Sequence, residues 1–132
     1  MAIVFEFDRR RARMTALVAV TEEAQRALGD KPEVCMTRFP FNVGRALQLN
    51  DASVTDPQPV KQISREHFVV DRIDDGYWLI DRSSACGTIV AGTHIGGERR
   101  GGRIQLRDGD LITIGNGKSP YTYRFQIVAA AE

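Results

Sequence analysis

At 132 residues the chain has room for one domain with a real core and little more. Apolar residues make up 42% and charged residues 27%, and no stretch approaches the run of about 20 apolar residues that a spanning helix needs, so no membrane association is expected. A net charge of +1 supplies no summed field toward nucleic acid, although the cationic residues are lopsided, with 15 Arg against 3 Lys.

Residues 1–13 differ in pattern from the rest of the chain. Ile3, Phe5 and Phe7 alternate with Val4 and Glu6, and Arg9, Arg10, Arg11 and Arg13 then form a basic cluster. They read as an N-terminal extension or extra strand with a solvated Arg cluster, because no aromatic platform for nucleic acid accompanies the charges. No basic region leads into an apolar core and a small-residue cleavage site, so a cytoplasmic location is expected.

From residue 14 onward the apolar runs are short, β-branched or aromatic, and bounded by turn residues. Strands are predicted over 14–20, 33–38, 41–43, 46–49, 67–73, 77–81, 88–90, 93–95, 103–106, 111–114 and 121–128. That pattern predicts an all-β fold, a β-sandwich of two antiparallel sheets with about eleven strands. Residues 21–28 carry the one helical spacing; at eight residues they are expected to form a loop with at most a helical turn. Residues 50–62, with Pro57 and Pro59, read as a long surface loop. Asp75-Gly76 is expected to make a two-residue hairpin turn, and Ala91-Gly92 joins two short runs similarly. Residues 129–132 are a tail.

Four stretches carry the chemistry. In Val43-Gly44-Arg45 a glycine at a strand end lets the guanidinium leave the end of a sandwich. Ser64-Arg65-Glu66-His67 puts a hydroxyl and a second guanidinium at a loop-to-strand junction, and two Arg with one Ser suit the oxygens of a phosphate. Glu66 is expected to face solvent. His67 opens an apolar run with no ligand cluster beside it and reads as a packed scaffold histidine. The third stretch is Ser83-Ser84-Ala85-Cys86-Gly87-Thr88. Cys86 matches no nucleophile motif with His67, so no enzyme is expected, and neither cysteine has metal-ligand spacing, so no metal or cofactor is expected either. The fourth, residues 106–115, contains the tight turn Asp108-Gly109-Asp110.

In their order and spacing these stretches resemble the forkhead-associated (FHA) domain, over about residues 14–128. The resemblance implies a β-sandwich whose end loops hold a phosphothreonine peptide of a partner protein in Ser/Thr kinase signalling. It assigns phosphate contact to Arg45 and Ser64, with help from Arg65, and peptide contact to the positions held by Ala85 and Cys86. Gly44, His67, Gly87, Thr88, Gly109 and Asp110 fall on structural positions. One departure stands out: where the family commonly reads Ser-Thr-Asn-Gly-Thr, this chain has Ser84-Ala85-Cys86-Gly87-Thr88, which removes a hydroxyl and a peptide-clamping amide. The alternative is therefore an FHA scaffold that assembles proteins independently of phosphate.

Overall fold

The computed structural model describes residues 14–128. The N-terminal extension or strand expected at residues 1–13 and the tail expected at 129–132 lie outside the described residues. In chain order the elements are β1 (Met14–Ala19), α1 (Glu22–Ala27), β2 (Glu33–Met36), β3 (Phe41–Gly44), β4 (Ala52–Ser53), β5 (Phe68–Ile73), β6 (Gly76–Asp81), β7 (Thr88–Val90), β8 (Thr93–Ile95), β9 (Gly102–Leu106), β10 (Leu111–Ile114) and β11 (Thr122–Val128).

The strands form two sheets, ordered β2-β1-β11-β10-β7-β8 and β4-β3-β5-β6-β9. Alternation decides which side chains enter the space between them, as in β6, where Tyr77, Leu79 and Asp81 are buried while Trp78 and Ile80 are half-buried. Val43, Phe68, Val70 and Leu79 of one sheet thus share a core with Leu17, Val90, Ile112, Ile114 and Phe125 of the other. Each fully buried side chain of this size contributes about 1.5–3 kcal/mol, so this interlayer core is what holds the sheets together.

Four local expectations are corrected. Residues 46–49 form no strand: they turn away from the sheet, with Leu47 80% and Leu49 50% exposed. The strand lies instead at β4, which pairs parallel to β3 through Val43↔Ala52 and Gly44↔Ser53, so one pair in the sandwich is not antiparallel. Residues 50–62 are accordingly not a free surface loop, since Ala52, Val54, Asp56 and Gln62 are buried. Asp56 explains how a polar segment tolerates burial: its carboxylate accepts the N–H groups of Gln58, Gln62 and Ile63 at 3.2, 2.7 and 3.1 Å.

The β5–β6 turn is centred on Asp74 and Asp75, at φ 49° and 66°, rather than on Asp75-Gly76, because Gly76 already pairs with Ile73. Shifting that register by one residue would move Tyr77 and Leu79 out of the core. Residues 22–27 make a true if short helix. Thr21 caps it by accepting the Ala24 N–H at 3.1 Å, and the buried Ala24 and Ala27 dock it on the core.

Candidate functional site

The ends of β3 and β6 and the starts of β5, β7 and β9 lie at one end of the sandwich, where the chain is pinned into a rigid loop cluster. Gly44 ends β3 against the next loop: a Cβ there would overlap the Arg65 carbonyl oxygen and sit 2.9 Å from both Asn50 Oδ1 and Glu66 Cα. Main-chain bonds then run across the gap, from Arg45 N–H to Ser64 O at 2.9 Å and from Ala46 N–H to Arg65 O at 3.0 Å. The Asn50 amide closes the turn by donating to Ala46 O and Arg65 O, both at 2.8 Å.

His67 lies beneath, fully buried. Its Nδ1 accepts the Ser64 N–H at 3.0 Å, which leaves Nε2 as the protonated nitrogen that donates to Gly87 O at 2.7 Å. Burial holds its pKa below the ordinary 6.5, against the opposing pull of the Gly87 carbonyl and the Asp81 carboxylate. The neutral ring thereby ties the β4–β5 loop to the β6–β7 loop.

Asp81, also buried, organises the β6–β7 loop. It accepts the Ser84 N–H at 2.9 Å, the Ser84 hydroxyl at 2.7 Å and the Thr88 hydroxyl at 2.8 Å, and the Ser84 oxygen in turn accepts the Gly87 N–H at 2.9 Å. Its spacing, Asp-x-x-Ser ahead of Gly-Thr, is the signal that sequence reading passed over. Gly109, at φ 90°, and Asp110 lie apart from this cluster in the β9–β10 turn, where Asp110 Oδ2 accepts the Arg107 N–H at 2.8 Å.

Above these supports opens a cleft of about 370 Å³, lined by Arg45, Lys61, Ile63, Ser64, Arg65, Glu66, Arg82, Ser83, Ala85 and Arg99. Five cationic side chains thus face one carboxylate in a molecule of nearly balanced charge, an arrangement that focuses a positive field on the opening. Glu66 is partly exposed to solvent, as expected, but it lines the cleft instead of pointing away from it and pairs with Arg82 at 3.3 Å. Arg45 is fixed by donation from Nε to Ile63 O at 2.9 Å, and among the described residues its terminal nitrogens have no hydrogen-bond partner. Ser64 Oγ accepts the Ala85 N–H at 3.1 Å and keeps its own proton to donate.

Of the five side chains assigned to ligand contact, the cleft brings together Arg45, Ser64, Arg65 and Ala85. Cys86 is not in its lining; the thiol lies 3.5 Å from Lys61 O, against the neighbouring loop. Lys61, Arg82 and Arg99 were missed, because single charges distant in sequence carry no local signal; for Arg99 the flanking Gly96-Gly97 and Gly101-Gly102 were the available clue. Among the described residues no group of three His, Cys, Asp or Glu side chains could hold a metal ion, and no helix is long and apolar enough to cross a membrane.

A β-sandwich with a cationic cleft built from its end loops defines the class of fold and site. The FHA domain model matches residues 41–115, more than half of the chain, and the chain belongs to the FHA domain family, whose members are phosphopeptide-binding protein-interaction modules. Among solved structures it is similar to the FHA domain of an Arabidopsis thaliana hypothetical protein, with a TM-score of 0.70 and 22% identity over 92% of each chain. The kinase-interacting FHA domain of the Arabidopsis kinase-associated protein phosphatase gives 0.68 and 19%, over 91% of this chain and 98% of that one. Mycobacterium tuberculosis EmbR, solved in complex with a low-affinity phosphopeptide, gives 0.63 and 20%, over 99% of this chain but 30% of its own. At such identities the likeness establishes the fold. No curated protein sequence matches.

Proposed function

We propose that this domain binds a phosphothreonine segment of a partner protein, without catalysis and without a cofactor, as an adaptor in Ser/Thr kinase signalling in the cytoplasm. The Arg45 and Arg65 guanidinium groups and the Ser64 hydroxyl grip the phosphate. The observation that carries this reading is Arg45 itself: it lines the cleft with its Nε anchored on a backbone carbonyl and its terminal nitrogens free of protein partners among the described residues. A guanidinium held in this way loses little freedom on meeting a dianion, and charge-assisted contacts of this type are the strong ones. His67, Asp81, Gly44, Gly87 and Thr88 set the loops that present those groups.

A second reading, phosphate-independent assembly, is favoured by one observation. The Ala85 N–H already serves Ser64 and the Cys86 thiol faces Lys61 O, so neither position offers a side-chain amide to a peptide. Isothermal titration with a phosphothreonine peptide pool and its phosphoserine and unphosphorylated twins separates the two. The first reading requires binding that needs phosphothreonine and is lost in Arg45→Ala while the domain stays folded. Equal binding to phosphorylated and unphosphorylated peptides would establish the second instead.

A further inference from the structure

The β8–β9 loop, residues 96–101, lies outside the four motif stretches, yet it places a guanidinium in the cleft. Its backbone is unusual: Glu98 and Arg99 both hold positive φ, 51° and 61°, which L side chains seldom adopt unless surrounding bonds impose it. Those bonds are present. The Glu98 N–H donates to Ala85 O at 2.9 Å and the Arg99 N–H to Ser84 O at 3.0 Å, tying this loop to the β6–β7 loop beside the phosphate end. A Cβ on Gly96 would fall 2.5 Å from the Asp81 carboxyl carbon, so the same aspartate that shapes the β6–β7 loop also seats this one.

The charges in the cleft are not equivalent. Arg82 is neutralised by Glu66 at 3.3 Å, and the Lys61 ammonium donates to Asp56 O at 2.6 Å. Glu98, next to Arg99 in sequence, is engaged with Arg100 at 2.8 Å. Arg45 and Arg65 together balance one phosphate dianion. Lys61 keeps its charge but is tethered by its bond to Asp56 O, whereas the Arg99 guanidinium has neither an ion-pair partner nor a side-chain hydrogen bond among the described residues, and it is left over.

We propose that Arg99 makes this site selective for a phosphothreonine segment bearing a second anionic group, an acidic side chain or a second phosphate. The inference rests on the proposed phosphothreonine function. Geometry bounds where that group lies. Arg45 leaves the end of β3 and Arg99 precedes β9, three strand spacings away in the order β3-β5-β6-β9, about 14 Å. An extended peptide advances about 3.3 Å per residue, so the second charge falls within about four residues of the phosphothreonine.

The test uses fluorescent peptides with one phosphothreonine in an alanine background. One series carries a single Asp at each position within four residues of it, and another carries a second phosphothreonine at the same positions. Each is titrated by anisotropy against the unaltered protein, Arg99→Ala and Arg99→Glu. Arg99 is exposed, so the variants fold, which circular dichroism checks. At one or two positions the second charge is expected to tighten binding about five- to tenfold, more for phosphate than for Asp. The gain shrinks below about twofold in Arg99→Ala and reverses in Arg99→Glu, while the alanine-flanked peptide, which meets Arg99 only through the summed field of the cleft, loses less affinity in Arg99→Ala than the doubly charged peptides do. An equal gain in Arg99→Ala, no gain at any position, or an equal loss for every peptide in Arg99→Ala would each overturn the inference while leaving the phosphothreonine reading standing. Failure of every phosphopeptide to bind the unaltered protein would overturn both.

Discussion

The Tyr121 hydroxyl donates to Asp56 Oδ1 at 2.8 Å, joining two residues 65 positions apart beneath the loop that carries Lys61 and leads to Ser64. Burial pushes Asp56 up, but the Tyr121 hydroxyl and the N–H groups of Ile63, Gln62 and Gln58 outweigh it and leave its pKa below 3.8. Tyr121 is pushed up in turn, by burial and by Asp56. Tyr121→Phe is expected to cost about 1–2 kcal/mol of stability, and Asp56→Ala roughly 3 kcal/mol, because three loop N–H groups then lose their acceptor. Urea denaturation measures both. Neither residue lines the cationic cleft, so a loss of phosphopeptide affinity in Tyr121→Phe would report loop order rather than a lost contact.

His67 gives the stability of the fold a pH dependence of known sign. Its folded pKa lies below 6.5, so the folded state binds fewer protons than the unfolded chain as pH drops past that value. Its contribution is therefore complete above pH 6.5 and declines as pH falls toward the folded pKa, with a slope of at most about 1.4 kcal/mol per unit. Protonation would put a hydrogen on Nδ1, where the Ser64 N–H now points. Asp51 and Asp56, both lowered, add loss of the same sign below pH 3.8. Denaturation midpoints collected from pH 7.5 to 5.0 are expected to fall in the unaltered protein. In His67→Ala they start lower, reflecting a loss of stability on the order of 3 kcal/mol, and are flatter across that range. An unchanged slope in the variant would remove His67 as its source.

What the chain revealed in advance divides by how local the signal was. The period-two burial in β6 and the Ala91-Gly92 turn between Val90 and Thr93 were legible because each is written in neighbouring residues. Residues 46–49 misled because Leu47 and Leu49 alternate like strand residues, yet cross-chain bonds from Arg45 and Ala46 to Ser64 and Arg65 turn the segment out of the sheet. β4 was hidden for the opposite reason: it is two residues long, and the preceding Asp51 is held in place by the Asn42 N–H at 2.8 Å, a contact only the folded chain makes. The same limit applies at the cleft. Arg45, Ser64 and Arg65 sit in recognisable stretches, whereas Arg99 reaches the cleft through backbone bonds to Ser84 and Ala85 that no spacing rule encodes.

Gly44 packs directly against the Ser64 loop, and the space left is for hydrogen alone. Gly44→Ala places a methyl into the Arg65 carbonyl and within 2.9 Å of Glu66 Cα, both backbone atoms that cannot swing aside. The loops must separate, which costs about 1–3 kcal/mol and moves Arg45 away from Ser64. Gly117→Ala is the matched control, since a Cβ there meets nothing within 4 Å. Thermal melts are expected to show a lower Tm for the first and little change for the second. Phosphopeptide titration of the same pair is expected to show at least a tenfold loss for Gly44→Ala alone, and equal behaviour of the two variants would exclude close packing as the reason for a glycine here.

Cys86 offers the sharpest test of whether the altered third motif weakens the site. The thiol, a weak donor, faces Lys61 O at 3.5 Å and is half-buried, so a polar side chain of similar reach fits without disturbing the core. Cys86→Asn supplies an amide that can keep the Lys61 carbonyl bonded through one N–H while presenting its remaining groups to a bound peptide backbone. Affinity for a phosphothreonine peptide is expected to rise roughly tenfold, the worth of one added hydrogen bond of about 1.4 kcal/mol. Cys86→Ser, shorter and able to satisfy only one partner, should change affinity by less than about threefold. Titrating both variants against the phosphorylated peptide and its unphosphorylated twin shows whether the gain depends on phosphate. A gain confined to the phosphopeptide means that the grip at Arg45 and Ser64 was intact and the peptide clamp was what the chain had lost. No gain from Asn would mean that position 86, tucked against the Lys61 loop, no longer reaches the ligand in this domain.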